Sequence, residues 1–225
     1  MQSTEFDLIS DLNLKPGDDF DWTNKTTSLY CVVAGNISSY LEVTKKVLTH
    51  LSKLYVKVFY IDGTLEHTIN KHFSSTITIL TNFCSSLKNV IFLHDNVSIL
   101  NGIAIIGCNG WFNAKWDGEE KLASILNFHD VVYLSKTIKQ LQRYNDVRNI
   151  FVVSNSVPKG EDLAPTLDKL YVDLTFSLMY DTEYKVTNWA FGSLFKMVNT
   201  VVDGINYNNN GKFNLEPYWP KKIIL

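Results

Sequence analysis

The chain has 225 residues, of which 45% are hydrophobic and 20% charged, and its formal net charge is −2. This composition excludes an intrinsically disordered chain, because such chains are poor in aromatic residues and strongly charged, whereas this one has 13 Phe, 11 Tyr and 5 Trp. No apolar run approaches the roughly 18 residues that a membrane-spanning helix needs. The near-neutral charge argues against binding to nucleic acid or to a membrane surface. We therefore expect a single soluble globular domain over residues 1–225, with no membrane or nucleic-acid partner.

Cysteine usage and the amino-terminal sequence bear on the compartment. The cysteines are Cys31, Cys84 and Cys108. They are odd in number and widely spaced, which suggests neither a disulfide framework nor a zinc ribbon, and the amino terminus lacks the features of a secretory signal. The chain holds 21 Asn against 3 Gln and 19 Lys against 2 Arg, a bias that the AT-rich genome of a phage or a low-GC microbe produces. We expect a cytoplasmic protein or, if a phage encodes it, one of the virion or host cytoplasm.

The first 60 residues alternate between strand and helix. Short β-branched or aromatic runs that end at turn residues predict buried strands, at Glu5–Ser10, Leu29–Ala34 and Val56–Ile61. A helix is predicted from Ser38 or Ser39, which can cap it, through Tyr55. Strand, helix and strand in succession predict a right-handed βαβ unit in a mostly parallel sheet.

Shorter elements follow in the rest of the chain. Strands are predicted at Val90–Leu93, Val97–Leu100, Ile103–Gly107, Ile150–Val153, Trp189–Phe191, Met197–Val202 and Lys221–Ile224. Asn101-Gly102 between two of them is a hairpin signal. Helices are predicted over Ile69–Leu87, over about Glu119–Tyr144 with a break near Phe128, and near Leu167–Met179. The run Asn208-Asn209-Asn210 is placed in a terminal loop. The pattern as a whole predicts an α/β domain.

Five loops follow predicted strands, where open α/β sheets bind ligands. In chain order they are Ser10-Asp11-Leu12-Asn13, Ala34-Gly35-Asn36-Ile37-Ser38, Asp62-Gly63-Thr64-Leu65-Glu66-His67, Ser154-Asn155-Ser156-Val157-Pro158 and Phe191-Gly192-Ser193-Leu194-Phe195. Taken together, they resemble the signature loops of the calcineurin-like metallophosphoesterases, which typically show S-D-L-H, A-G-D-I, P-G-N-H-E, a T-H-H-A-P-type loop and F-G-H-T-H. Each loop alone is weak evidence, but five in order over nearly the whole chain are strong evidence.

The resemblance implies both a fold and a chemistry. The fold is a four-layer αββα sandwich, an α/β fold in which two mixed β-sheets pack face to face with helices outside. The family's two divalent cations lie about 3.5–4 Å apart, clamp the phosphate and activate the attacking water. A carboxylate bridges the cations, further ligands are carboxylate, imidazole and carbonyl groups, and a histidine protonates the leaving alkoxide.

This sequence departs from the family at most of these positions. Asp11 keeps the first aspartate. Asn13 replaces the first-loop histidine, Asn36 the bridging aspartate, Thr64 the asparagine ligand and Leu65 the leaving-group histidine. Asn155 and Ser156 replace the two histidines of the fourth loop, and Ser193 and Phe195 replace those of the last loop. Of the metal-ligand positions, Asp11 alone is thereby kept.

The scaffold positions of the loops are kept, namely Gly35, Gly63, Gly192 and Pro158. We therefore expect the fold to be retained without its metals, without another cofactor and without catalytic residues. Asn13, Asn36, Asn155 and Ser193 should hydrogen-bond to one another or to Asp11, because each buried polar group without a partner costs about 1–3 kcal/mol. Phe195 should fill part of the former cleft.

The functional expectation is a pseudoenzyme with a structural or protein-interaction role, as a subunit of a phage or another larger assembly with an unidentified protein partner. Two alternatives stay open. The first is a ligand-binding module that uses the metal-free pocket through its Asn and Ser side chains. The second is a residual phosphoesterase that holds a single metal on Asp11.

Other groups of reactive residues have simpler interpretations. The five histidines, His50, His67, His72, His94 and His129, are interpreted as surface or partly buried structural residues. The acidic group Asp18, Asp19 and Asp21 could bind a cation, but a solvated turn is favoured because the ligand spacing of a calcium loop is missing. Trp111 and its aromatic neighbours could line a partner surface, but packing against the body of the protein is favoured.

Overall fold

Alternating apolar segments form the strands of two β-sheets. The computed structural model describes residues 3–69, 73–111, 120–158, 185–194, 197–212 and 217–225, with the backbone alone at positions 120 and 121. In its described part, the first sheet consists of β1 (Glu5–Ile9), β2 (Tyr30–Ala34), β3 (Lys57–Ile61), β4 (Val90–Phe92) and β11 (Lys221–Ile224). The order is β11-β1-β2-β3-β4. Strands β1 to β4 pair in parallel, and β11 pairs with β1 antiparallel.

The second sheet is also mixed. It consists, in the described part, of β5 (Asn96–Leu100), β6 (Ile103–Cys108), β7 (Asn149–Ser154), β8 (Val186–Phe191), β9 (Val198–Val202) and β10 (Ile205–Asn209). The order is β5-β6-β7-β8-β10-β9. The four central strands are parallel, and both edge strands are antiparallel to their neighbours. The predicted hairpin is confirmed, because Leu100 pairs with Ile103 across Asn101-Gly102, and both turn residues have positive φ, as that turn type requires.

Helices cover the outer faces of the sheets. They are α1 (Leu41–Leu54), α2 (Phe73–Ser86) and α3 (Glu120–Leu141), and a 3-10 turn, Leu65–His67, precedes α2. Helix α1 begins at Leu41, so the prediction that Ser38 or Ser39 caps it is wrong: Tyr40 precedes the helix without a side-chain cap. The hydroxyl of Ser38 instead donates to the carbonyl oxygen of Leu14. No helix of the described residues is long and apolar enough to cross a membrane.

Three apolar layers hold the sandwich together. The central layer lies between the sheets and is formed by alternate residues of both, including Phe6, Phe59 and Phe151. A second layer packs the first sheet against α1 and α2, and a third packs the second sheet against α3. This arrangement is the predicted four-layer αββα sandwich of two mixed sheets. The helix predicted near Leu167–Met179 lies outside the described residues.

Two predicted elements need correction. Helix α3 runs without the break predicted near Phe128. Its buried side includes Asp130 as well as Leu134 and Ile138, while Phe128 is exposed, so a polar residue in the buried stripe and an apolar one outside obscured the helical period. The asparagine run does not begin in a loop, because Asn208 and Asn209 end strand β10.

Candidate functional site at the carboxyl ends of the strands

The loops after β1, β2, β3, β7 and β8 meet at one edge of the sandwich. The backbone N–H of Asp11 donates to the carbonyl oxygen of Gly35 at 3.1 Å, which joins the first two loops. The N–H of Thr64 in the third loop donates to Oδ1 of Asn155 in the fourth at 3.2 Å. Ser193 in the fifth loop donates its N–H to Asp11. Parallel strands account for this convergence, because their carboxyl ends lie at the same edge.

The carboxylate of Asp11 lies at the centre of the site. Its Oδ1 accepts from Nδ2 of Asn36 at 2.9 Å and from the backbone N–H of Ser193 at 2.8 Å. Its Oδ2 faces Nδ2 of Asn209 at 3.4 Å. Burial raises the pKa of Asp11 to about 6, although the hydrogen bonds from Asn36 and Ser193 oppose this rise. Both oxygens of the carboxylate are therefore directed at protein donors.

Asn36 and Asn155 connect the remaining loops to Asp11. Oδ1 of Asn36 accepts from the N–H of Leu65 at 3.1 Å and from Oγ1 of Thr64 at 3.4 Å. Oγ of Ser193 donates to Oδ1 of Asn155 at 3.0 Å, and Nδ2 of Asn36 lies 3.3 Å from the same hydroxyl. The side chains expected to bond to one another thus form one network around Asp11.

Four other predicted site positions contribute less or differently. Asn13 is exposed, and its Nδ2 donates to the carbonyl oxygen of Asp11 rather than to a side chain. Ser156 is buried, and its backbone N–H donates to the carbonyl oxygen of Asn109 at 2.8 Å. Leu65 joins the network through its backbone only. Phe195, expected to fill part of the cleft, lies outside the described residues.

Close packing of the loops explains two of the retained glycines. A Cβ atom on Gly63 would lie 2.3 Å from Oδ1 of Asn36, and one on Gly192 would lie 2.3 Å from the carbonyl oxygen of Ala34. Neither glycine has a positive φ, so these positions require glycine for space rather than for backbone conformation. The left-handed backbone occurs at Gly35, with φ of 74°, and also at non-glycine residues, with φ of 52° at Asp11 and 59° at Ser193. Such strain concentrates at functional sites.

The side chain of Glu66 connects the second loop to the third. Its Oε1 accepts from the N–H of Ile37 at 2.8 Å, and its Oε2 accepts from the N–H of Gly63 at 2.9 Å. Burial raises the pKa of Glu66 to about 8. Both carboxylate oxygens of Glu66 accept from backbone N–H groups of the loops, so Glu66 is not a free ligand for an ion in the site.

A second buried charge cluster lies beside the third loop. Asp62, directly after β3, contacts Nε2 of His67 at 2.6 Å and Nδ1 of His94 at 3.2 Å. Burial raises the pKa of Asp62, but His94 and His67 outweigh burial and hold it well below its usual range. His67 is completely buried in this cluster, so the expectation of a surface or partly buried position is wrong for this residue. Trp111 is buried against His67 and Phe73, which agrees with the packing interpretation.

Asn209 is a site residue that the sequence interpretation missed. Its Nδ2 donates to the carbonyl oxygen of Phe191 at 2.8 Å and faces Asp11. The sequence signal for its position is Asp203-Gly204, because an Asp-Gly pair is typical of a two-residue hairpin turn. Both residues have positive φ in the hairpin between β9 and β10. A hairpin there would have placed the asparagine run in a strand instead of a terminal loop.

Solved structures with the same fold include hydrolases. Phosphopantetheinyl hydrolase (PptH) from Mycobacterium tuberculosis is similar with a TM-score of 0.69 and 16% identity, over 98% of this chain and 96% of that one. A putative 5'-nucleotidase from Staphylococcus aureus gives a TM-score of 0.60 and 11% identity, over 93% of this chain and 49% of the other. GAP50, the anchor in the inner membrane complex of Plasmodium, gives 0.59 and 12%, over 98% of this chain and 76% of the other. These similarities support the metallophosphoesterase-like fold.

Sequence comparison gives a more distant signal. An uncharacterized protein of Acanthamoeba polyphaga mimivirus is 25% identical over 140 residues, which cover 55% of this chain. The chain spans half the length of that viral protein. No protein-family model matches the chain. The viral similarity is consistent with a viral origin, while a phage source and the compartment stay predictions.

Proposed function

We propose that this protein is a pseudoenzyme, a phosphoesterase-like fold that works without a dinuclear metal centre and acts by binding other proteins. The observation that carries the proposal is the hydrogen bonding of the Asp11 carboxylate. Its two oxygens are directed at amide donors of Asn36 and Asn209 and at the backbone N–H of Ser193. A metal ion needs the lone pairs that these donors occupy.

The charge balance of the site also opposes a metal pair. Two divalent cations 4 Å apart repel each other by about 16 kcal/mol, four times the value for unit charges at an effective dielectric constant of 20. In the described network around Asp11, the other side chains are neutral amides and hydroxyls. The residues present therefore do not fit the two cations, and no reaction step is assigned to them.

The interaction role is supported by the surface of α3. Ile125, Phe128 and Val132 recur at helical spacing, and their exposed fractions are 64%, 70% and 47%. Contiguous exposed apolar groups mark sites of protein–protein contact in soluble proteins. We infer a protein partner, in keeping with a subunit of a larger assembly.

A ligand-binding module is the second candidate, and one observation favours it. A groove of about 520 Å³ lies between the loop after β1 and the start of α1. Leu14, Tyr40 and Val43 line it together with Lys15 and Lys46. Its size falls in the range of small-molecule sites. Thermal-shift screening with nucleotides separates the two candidates, since only a ligand-binding module gains stability from them.

Hydrolysis of a chromogenic phosphodiester tests the loss of activity. With Mn²⁺ or Zn²⁺ present, the parent chain is expected to show no more turnover than Asp11→Ala, because Asp11 alone cannot hold the metal pair. Asp21→Ala is a matched control, since Asp21 is an exposed acidic residue outside the site. Metal-dependent turnover in the parent and in Asp21→Ala, but not in Asp11→Ala, would contradict the proposal and support a residual single-metal phosphoesterase.

A further inference from the structure

Three potential metal ligands lie together outside the Asp11 network. Asp95 follows β4, and His129 and Asp130 are consecutive residues of α3. One ligand atom of each lies within 4.8 Å of the other two. Nδ1 of His129 is 3.3 Å from Oδ2 of Asp95 and 3.7 Å from Oδ1 of Asp130. The cluster joins the turn between β4 and β5 to the helix on the outer face of the second sheet.

Asp95 carries an acceptor without a partner. Its Oδ1 is buried and receives no hydrogen bond, although its Oδ2 faces His129. Native proteins pair the great majority of buried polar atoms, and an exception points to a strained site, a missing water or a missing ion. The unpaired atom is therefore an observation independent of the cluster itself.

Asp130 is buried and firmly positioned. Only 2% of this residue is exposed, and its Oδ2 accepts from the N–H of Gly110 at 2.6 Å. Its Oδ1 is directed toward His129 and Asp95. A cation between the two carboxylates relieves the repulsion between their negative charges.

The spacing of the three groups matches that of ligands on one metal ion. Bonds of 2.0–2.2 Å in tetrahedral geometry place neighbouring ligand atoms about 3.4 Å apart. The two measured separations from His129, 3.3 and 3.7 Å, lie on either side of this value. His129 is largely exposed, which leaves the solvent side open for water as a further ligand.

We propose that Asp95, His129 and Asp130 bind one divalent transition-metal cation of the Zn²⁺ type. One imidazole with two carboxylates suits Zn²⁺ better than Mg²⁺ or Ca²⁺, which prefer oxygen ligands alone. The ion binds the Asp95 carboxylate, whose Oδ1 has no hydrogen-bond partner, and ties the β4–β5 turn to α3. The site shares no residue with the Asp11 network, so the two can be tested independently.

Equilibrium dialysis and titration calorimetry of the full chain with Zn²⁺, after treatment with a chelator, test the site. We expect one Zn²⁺ per chain, and at least a tenfold loss of affinity in Asp95→Asn and in His129→Gln. The side chain of His129 is 65% exposed and that of Asp95 is 23% exposed, and Asn tolerates the positive φ of residue 95. Asp130 is left unchanged because it also holds Gly110.

Two control variants separate this site from other sources of binding. His50→Gln removes a partly exposed histidine whose Nε2 lies 3.8 Å from the carboxylate of Asp21 and accepts from the N–H of Trp22, and Asp11→Asn alters the Asp11 network. Both are expected to keep the single zinc. Three results would overturn the proposal: no zinc binding to the parent, zinc affinity in Asp95→Asn and His129→Gln equal to that of the parent, or loss of the zinc in Asp11→Asn. In the first case His129 serves only as an ion-pair partner.

Discussion

Asp62→Asn is expected to lower the free energy of unfolding by about 3–5 kcal/mol, the usual cost of breaking a buried ion pair by removing one partner. Asp62 is completely buried and holds both His67 and His94. The amide keeps the shape of the side chain but not its charge. His94 then stays in a mostly buried position without its counter-ion.

The pH dependence of this loss identifies its cause. Burial lowers the pKa of His94, but Asp62 outweighs burial and raises it to about 9. Because the folded-state pKa lies above the unfolded value of about 6.5, the stabilisation is fully present below pH 6.5 and is lost as the pH rises through about 9. The stability difference between parent and Asp62→Asn should therefore be larger at pH 6 than at pH 9.5.

Urea unfolding at these two pH values measures the difference. Glu66 and Asp130 also have raised pKa values, but both proteins contain them, so their titration largely cancels in the comparison. Asp21→Asn is the control, because Asp21 faces His50 at the surface, and it should leave the midpoint unchanged. An Asp62→Asn protein as stable as the parent at pH 6 would show that the cluster does not stabilise the fold.

Phe6→Ala should be equally damaging, with an expected loss of about 3–5 kcal/mol for a buried phenylalanine. Phe6 is completely buried between the sheets, and its ring centroid lies 5.4 Å from that of Phe151 in the opposite sheet. It also contacts Phe59 within its own sheet. The truncation leaves a cavity in the central layer that β-strands cannot readily close.

Chemical denaturation monitored by circular dichroism measures this effect. Phe128→Ala is the matched control, since the exposed ring of Phe128 should change stability by no more than about 0.5 kcal/mol. If Phe6→Ala and Phe128→Ala lower the free energy of unfolding by the same amount, the account of the central layer is wrong. A molten state in Phe6→Ala would instead show that the layer also fixes how the two sheets face each other.

Periodicity was sufficient to predict most of the sandwich, because residues with strict alternation, such as Phe6 and Leu8, face the central layer. It failed where polar residues occupy buried positions. Asp130 interrupts the apolar stripe of α3, and Asn188 lies buried within β8, which begins at Val186 rather than at the predicted Trp189. Burial of a polar group depends on a distant partner that local sequence does not reveal.

The candidate site was predictable where residues adjoin strand ends. Asn36, Asn155 and Ser193 lie around Asp11 because each follows a parallel strand. The Asp203-Gly204 hairpin signal could have assigned Asn209 to a strand, but not to a position beside Asp11, because that position depends on β10 returning beside β8. The charge cluster of Asp62 was missed for a similar reason, since His94 comes from the neighbouring strand end, far along the chain.

Anomalous diffraction from crystals grown with Mn²⁺ tests the central claim most directly. We expect no anomalous peak within coordination distance of Asp11, with its carboxylate still bonded to Asn36 and Ser193. A peak between Asp95 and Asp130 would be compatible with this account, because that cluster is separate. Two peaks about 3.5–4 Å apart beside Asp11, the spacing of a two-metal hydrolase, would contradict it.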